Sequence, residues 1–243
     1  MVKIIDIRLD EISKDKVHRY FGYDDSNYPS DRTAAMMEEE NRWLVDNAYP
    51  RGTYGIFPCE LVSGGKVKVG SENFESVVLR LHMTGSLAAA VMAVTIGENV
   101  DTQISELMEN GNMARGYILN GLASAAADCV VDSLENIIRD EIAHSAGCTE
   151  SGDISGGCTE PGWKTTLRFS PGYAEFILEN QRGIFNLIEP ERIGINLNQS
   201  YLMKPLKSIT AVIGIGPDVN TDEYPCELCD ICNITNCKYI KDP

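Results

Sequence analysis

The sequence predicts an α+β fold with a largely antiparallel sheet, packed helices and a small cysteine-rich C-terminal tail. Three observations carry this reading. Strand-like and helix-like segments cluster along the chain instead of alternating strictly, which favours antiparallel pairing over a doubly wound parallel sheet. A stripe at helical spacing runs from Ile118 through Leu122, Ala125, Ala126, Cys129, Val130 and Leu134 to Ile138. Four of the eight cysteines fall within the last 18 residues.

With 243 residues, 43% hydrophobic and 23% charged, the chain suits one large domain plus an appendage. The boundaries expected are 1–218 for the domain and 219–243 for the tail. No internal repeat stands out. The net charge of −15 repels phosphate backbones and acidic membrane surfaces, so neither nucleic acid nor membrane is expected as a partner. The N-terminus lacks the apolar core and cleavage site of a signal peptide. The most apolar run, Leu87 to Ile96, is shorter than the roughly 18 residues that span a bilayer. A cytoplasmic location follows as the expectation, and there eight cysteines argue against a disulfide framework. Cys59 and Cys129 sit in apolar segments and are expected to be buried as small hydrophobes.

The elements follow in order. Ile4, Ile5 and Ile7 predict a short strand, and Ser13 to Phe21 a short helix. Asp31 predicts an N-cap for a helix to about Val45, broken by Pro50, Gly52 and Gly55. Residues 54–95 predict strands: YGIFPCELV, a Gly64-Gly65 turn, KVKVG, then the alternating VVLRLHM and the buried run from Ala88 to Ile96. Residues 98–144 predict two helices. Residues 145–166, rich in Gly, Ser and Thr and holding Cys148 and Cys158, predict a loop. Ala174 to Leu187 predicts a helix. IGINLNQSYLM and KSITAVIGIG predict strands, joined near Pro205.

The segment Arg168-Phe169-Ser170-Pro171-Gly172-Tyr173 singles itself out. Pro171 stiffens a turn, and Gly172 permits positive φ or close backbone approach. An arginine beside such a turn can hold a carboxylate bidentately. Tyr173 offers a ring face and a hydroxyl. Taken alone, the hexapeptide also suits a tight turn with a surface arginine. The pattern R-x-x-P-G-Y, however, resembles the signature of the activation domain of cobalamin-dependent methionine synthase. LNQSYLMKPLKS, with Ser200, Tyr201, Met203, Pro205 and Ser208, resembles that family's second stretch. ADCVVDSLENIIRD, from Ala127 to Asp140, resembles its acidic helix, and VHRYFGY resembles the opening of its free-standing branch. The resemblance covers roughly residues 1–218.

That resemblance implies the activation-domain fold. It also implies S-adenosylmethionine (AdoMet) as cofactor, with Arg168, Phe169, Ser170, Pro171, Gly172, Tyr173 and Asp128 binding it. The family's helix carries Glu where this chain has Asp128, one methylene shorter. A second family Glu, six residues before the arginine, is Gly162 here, with Glu160 nearby. The activity implied is AdoMet-dependent reductive methylation of cobalt, which restores a corrinoid protein. Cob(I)alamin is itself the nucleophile, so no catalytic acid/base pair is required and the protein's task is to orient the methyl group. His18, His82 and His144 are scattered and are expected to be structural. Asp128 and Asp132, one turn apart, can face one side and favour a sulfonium or ammonium group.

Cys226, Cys229, Cys232 and Cys237 put four thiolates in twelve residues. This spacing suits one metal centre, either a 4Fe–4S cluster or tetrahedral Zn. The tail would order only with metal bound. A redox cluster would fit a reaction that needs an electron. The partners implied are cobalamin on a corrinoid protein, or a truncated methionine synthase, and an electron donor. Two further readings stay open: a corrinoid-protein-binding module that does not use AdoMet, and an iron–sulfur electron carrier.

Overall fold

The computed structural model of the protein describes residues 1–23, 27–144 and 162–221. Strand β1 (Lys3–Asp6) is followed by helices α1 (Lys14–Phe21) and α2 (Asp31–Asn47). Strands β2 (Arg51–Val62), β3 (Lys66–Val69) and β4 (Glu72–Glu75) form a meander that leads into helix α3 (Val77–His82). Strand β5 (Ala88–Thr95), helices α4 (Glu98–Glu109) and α5 (Met113–His144), and strand β6 (Lys164–Thr165) come next. A 3-10 turn (Leu178–Asn180), helix α6 (Gln181–Ile188), strands β7 (Asn196–Leu197) and β8 (Met203–Lys204), and strand β9 (Ser208–Gly216) complete the order.

Among the described residues, seven strands form one sheet in the order β4-β3-β2-β5-β9-β6, with β1 also on β2. Every pairing is antiparallel, as expected from the clustered strands. Strand β5 lies at the centre, registered Arg51↔Thr95 with β2 and Val91↔Val212 with β9. All eight of its residues are buried. Its alternate side chains feed two cores. Ala88, Ala90, Met92 and Val94 face α2, α4 and α5, while Ala89, Val91 and Ala93 face the α3 and α6 side. A strand buried on both faces reads as a continuous apolar run, which is how residues 88–96 stood out.

Helix α5 lies against the sheet through a run of small residues. Ala123, Ala125 and Ala126 are fully buried, which brings its backbone close to the strands. Its partly polar remaining face is therefore held at a fixed height above the sheet edge formed by β9 and β6.

Several expectations change in detail. Ser30, not Asp31, caps α2: its hydroxyl accepts the Thr33 N–H at 3.3 Å, and Asp31 adds a negative charge to the first turn. VVLRLHM is a helix, not a strand. Ser76 accepts the Leu79 N–H at 3.0 Å, and Val78, Leu79 and His82 share one buried face, so capping decides against the two-residue alternation. The helix expected from Ala174 starts only at Gln181, after the 3-10 turn, because the chain around Gly172 is still folded back on itself. Lys164 and Thr165, expected in a loop, pair with Gly216 and Ile215. Cys59 is buried, and burial pushes its thiol up to about 12. Cys129 is only half-buried, and its sulfur accepts the Ser13 N–H at 3.4 Å. Val219 is buried, so the described chain stays packed one residue past the expected boundary. Cys148, Cys158, Glu160 and the tail cysteines Cys226, Cys229, Cys232 and Cys237 lie outside the described residues.

Candidate functional site

The Arg168–Tyr173 segment runs along β9 and is pinned to it. The Phe169 N–H donates to the Val212 carbonyl at 2.8 Å, and the Val212 N–H returns to the Phe169 carbonyl at 2.9 Å. Pairing of this kind sends successive side chains to opposite faces. Phe169 therefore enters the core on the α3 and α6 side, where it is 4% exposed, and Arg168 points to the other face, toward α5. Phe169 stacks on Phe176 at 6.0 Å and meets the edge of Tyr173 at 6.1 Å. Its third ring neighbour is His82, 5.1 Å away. Phe169 and the buried Pro171 thus support the turn from below, while Gly172 and Tyr173 reach the surface.

Gly172 takes φ 101°, a region that side chains strain to enter, so the glycine is a conformational requirement. The turn closes when its N–H donates to the Phe176 carbonyl at 2.6 Å. Tyr173 is half-exposed, and its N–H donates to the Ser170 carbonyl at 3.2 Å. His82 is buried and bonded through Nε2 to the Leu167 carbonyl at 2.7 Å. Burial holds its pKa below the ordinary value, so the ring is neutral and donates that bond. It fixes the residue immediately before Arg168, which makes the expected structural role specific.

Opposite the segment, Asp128, Asp132 and Glu135 occupy one face of α5, at i, i+4 and i+7. Arg168 Nη1 donates to Asp132 Oδ1 and to Glu135 Oε2, each at 2.8 Å. Among the described residues, neither Nη2 nor Nε of Arg168 has a carboxylate partner. Arg168 is thus anchored by one nitrogen and presents the rest of its fork. Burial opposes its charge, but hydrogen bonding and charge from Glu135 and Asp132 prevail and raise its pKa. Glu135 is buried and is held as well by Arg139, whose Nη2 donates to Oε1 at 2.7 Å. Arg139 also bonds the Thr165 hydroxyl, tying α5 to β6. Lys16 of α1 sits on Asp132 Oδ2 at 2.6 Å, and the Tyr20 hydroxyl donates to Asp128 Oδ2 at 3.0 Å.

The structure therefore puts Asp132 between Arg168 and α1, with Asp128 one turn before it on α5 and Tyr173 at the far end of the turn that Arg168 begins. Four participants were not foreseen: Lys16, Tyr20, Glu135 and Arg139. Glu135 and Arg139 carried a signal, an i, i+4 acid–base pair on the stripe side of α5. Lys16 carried none, and Tyr20 only its place in the VHRYFGY stretch, because their contacts span more than 100 residues of sequence. Among the described residues, no group of three or more His, Cys, Asp or Glu is arranged to hold a metal ion. No helix among them is long and apolar enough to cross a membrane.

The fold defines the class first. It matches a solved structure described as the MetH reactivation domain bound to AdoHcy, with TM-score 0.65 and 14% identity, over 90% of this chain and 80% of that one. At that identity the likeness speaks for the fold alone. No curated protein matches the chain in sequence. A family model described as vitamin B12 dependent methionine synthase, activation domain, matches residues 49–229, about three quarters of the chain. The chain belongs to that family.

Proposed function

We propose that this chain binds AdoMet and supports reductive methylation of cobalt in a partner corrinoid protein, restoring it from an inactive oxidised state. The observation that carries the reading is Arg168. It is locked to α5 through Nη1 alone, with Nη2 and Nε left for the carboxylate of an amino-acid ligand. Tyr173, in the same turn, offers a half-exposed ring, and Asp128, one turn before Asp132 on α5, offers a negative charge. Family membership supports the corrinoid partner, either a methionine synthase lacking its own activation domain or the corrinoid protein of another methyl-transfer system. AdoMet supplies the methyl group. The chain's residues bind, orient and exclude water, and none has to move a proton.

The test combines the chain, AdoMet, a one-electron reductant and a corrinoid protein in the cob(II)alamin state. Growth of the methylcobalamin absorbance that depends on both the chain and AdoMet is the expected result. Its absence, together with no calorimetric signal for AdoMet, would refute the proposal.

We propose further that Cys226, Cys229, Cys232 and Cys237 hold one metal centre, an iron–sulfur cluster in preference to Zn. The support is their spacing and the electron that the reaction consumes. Anaerobic reconstitution with EPR and metal analysis decides between the two. Iron with a reducible cluster signal is expected, and stoichiometric zinc without iron excludes the cluster.

A further inference from the structure

We propose that Arg139 and Lys16 are positioning residues: each takes the second oxygen of a carboxylate that Arg168 also uses, which holds Arg168 to one nitrogen and keeps the rest of its fork free for a ligand. This inference rests on the AdoMet reading above. It concerns side chains that act on the binding arginine without touching the ligand, and Lys16 precedes the family-matched residues 49–229.

The first observation is how the oxygens of Asp132 and Glu135 are divided. Arg168 Nη1 takes one from each acid, Asp132 Oδ1 and Glu135 Oε2, both at 2.8 Å. The other oxygen of each goes to a different cation. Lys16 Nζ lies 2.6 Å from Asp132 Oδ2. Arg139 Nη2 donates to Glu135 Oε1 at 2.7 Å, and its Nε adds a longer bond of 3.3 Å. No oxygen of either acid serves both Arg168 and a second cation.

The second observation is what the division prevents. An arginine that meets a carboxylate with both oxygens free favours the bidentate pair, two parallel N–H···O bonds from two nitrogens. On Glu135 that pair would draw Arg168 Nη2 onto Oε1 and remove the edge that a ligand carboxylate needs. Arg139 occupies Oε1 and blocks it. Glu135 is buried, so an Oε1 without Arg139 would be a costly unpaired acceptor that pulls Arg168 in. The Asp132 side chain is 39% exposed, so water can stand in for Lys16 on Oδ2. Arg139 therefore carries the larger share of the effect.

The third observation is how the two cations are themselves held. Arg139 bonds the Thr165 hydroxyl through Nη1 and the Thr166 carbonyl through Nη2 at 3.4 Å. Both threonines are buried, and they lead directly into Arg168. Thr165 pairs with Ile215 and Phe169 with Val212, so β9 fixes the spacing between Arg139's anchor and Arg168. Lys16 is carried by α1, whose Val17 and Phe21 pack on the core around α5. Phe21 lies over Gly121, where an added Cβ would come within 2.5 Å of the ring.

Crystal structures and AdoMet calorimetry test this on the full chain and on Arg139→Met, Lys16→Met, Thr165→Val and the double variant Arg139→Met with Glu135→Gln. In Arg139→Met and Lys16→Met each acid keeps Arg168, so neither charge is stranded and the variants should fold. Arg139→Met should bring Arg168 Nη2 onto Glu135 Oε1 and weaken AdoMet about tenfold, and Lys16→Met should weaken it about threefold. Thr165→Val cuts the tie to β6 but leaves Arg139 on Glu135, and should weaken AdoMet less than about twofold. Glu135→Gln offers one amide oxygen and cannot form the bidentate pair. Added to Arg139→Met, it should restore most of the lost affinity, whereas a merely structural role for Arg139 gives a further loss. An unmoved Arg168 in the Arg139→Met structure, a Thr165→Val loss as deep as that of Arg139→Met, or no rescue by Glu135→Gln overturns the proposal. If the wild-type chain binds no AdoMet, the AdoMet reading falls, and the Arg139→Met structure still decides whether Arg139 holds Arg168 to one nitrogen.

Discussion

Replacing Arg168 by alanine is expected to weaken AdoMet binding about 100-fold while leaving the protein folded. The first half follows from what the side chain offers. A bidentate, charge-assisted pair with a carboxylate in a partly buried site contributes about 3 kcal/mol, which is about two decades in affinity. The second half follows from the redundancy of the network. Without Arg168, Asp132 keeps Lys16 at 2.6 Å and Glu135 keeps Arg139 at 2.7 Å, so neither carboxylate is stranded. Removal of one member of a buried pair is severe when it leaves an uncompensated charge, and here it does not. Unfolding in urea should therefore shift by no more than about 1 kcal/mol. Arg168→Lys should not rescue binding. A single ammonium that satisfies Asp132 and Glu135 has no second edge to present. Calorimetry and urea titration on the same preparations check both halves. Unchanged affinity would remove Arg168 from the site.

Much of the fold was legible because burial leaves a pattern in the sequence. The run from Ala88 to Ile96 stood out because a strand with both faces covered needs apolar residues throughout. The stripe from Ile118 to Ile138 stood out because one face of α5 lies on the sheet. Residues 77–83 misled because their apolar residues fit both a period of two and the turns of a short helix. The deciding signal was the Ser76 cap, a single hydrogen bond rather than a pattern. The turn at Gly172 was legible because a positive φ leaves a glycine in the sequence, and the Pro-Gly-Tyr order kept it visible; Arg168 and Tyr173 stood out only through the family resemblance of that segment. The partners of Arg168 were only half visible. Asp132 was suspected from its spacing to Asp128. Glu135 looked like one more acid on an acidic protein until the structure placed it, buried, between two arginines. Lys16 and Tyr20 reach the site by tertiary folding: Tyr20 lies in the VHRYFGY stretch that resembles the family, but nothing local in that stretch says which residues of α5 it meets.

Phe176→Ala should produce the opposite phenotype: a large loss of stability with binding largely retained in the molecules that stay folded. Phe176 is fully buried, between Phe74 at 5.8 Å and Phe169 at 6.0 Å. Truncating such a ring costs about 3–5 kcal/mol, from lost transfer energy and the cavity left behind. Phe176→Leu should recover part of that by refilling the space. The turn above is held mainly by main-chain atoms. The Phe176 carbonyl accepts from Gly172, and the Phe176 N–H donates to Tyr173 at 2.9 Å, neither of which alanine removes. Phe169 keeps its two bonds to Val212 and its contact with His82. AdoMet affinity, measured below the onset of unfolding, should fall less than tenfold. A loss as deep as that of Arg168→Ala would mean that the aromatic cluster shapes the ligand surface directly. The contrast between the two variants separates the scaffold that holds this segment from the side chain that uses it. Phe169, buried one residue from Arg168, belongs to the scaffold even though the sequence motif sets the two side by side.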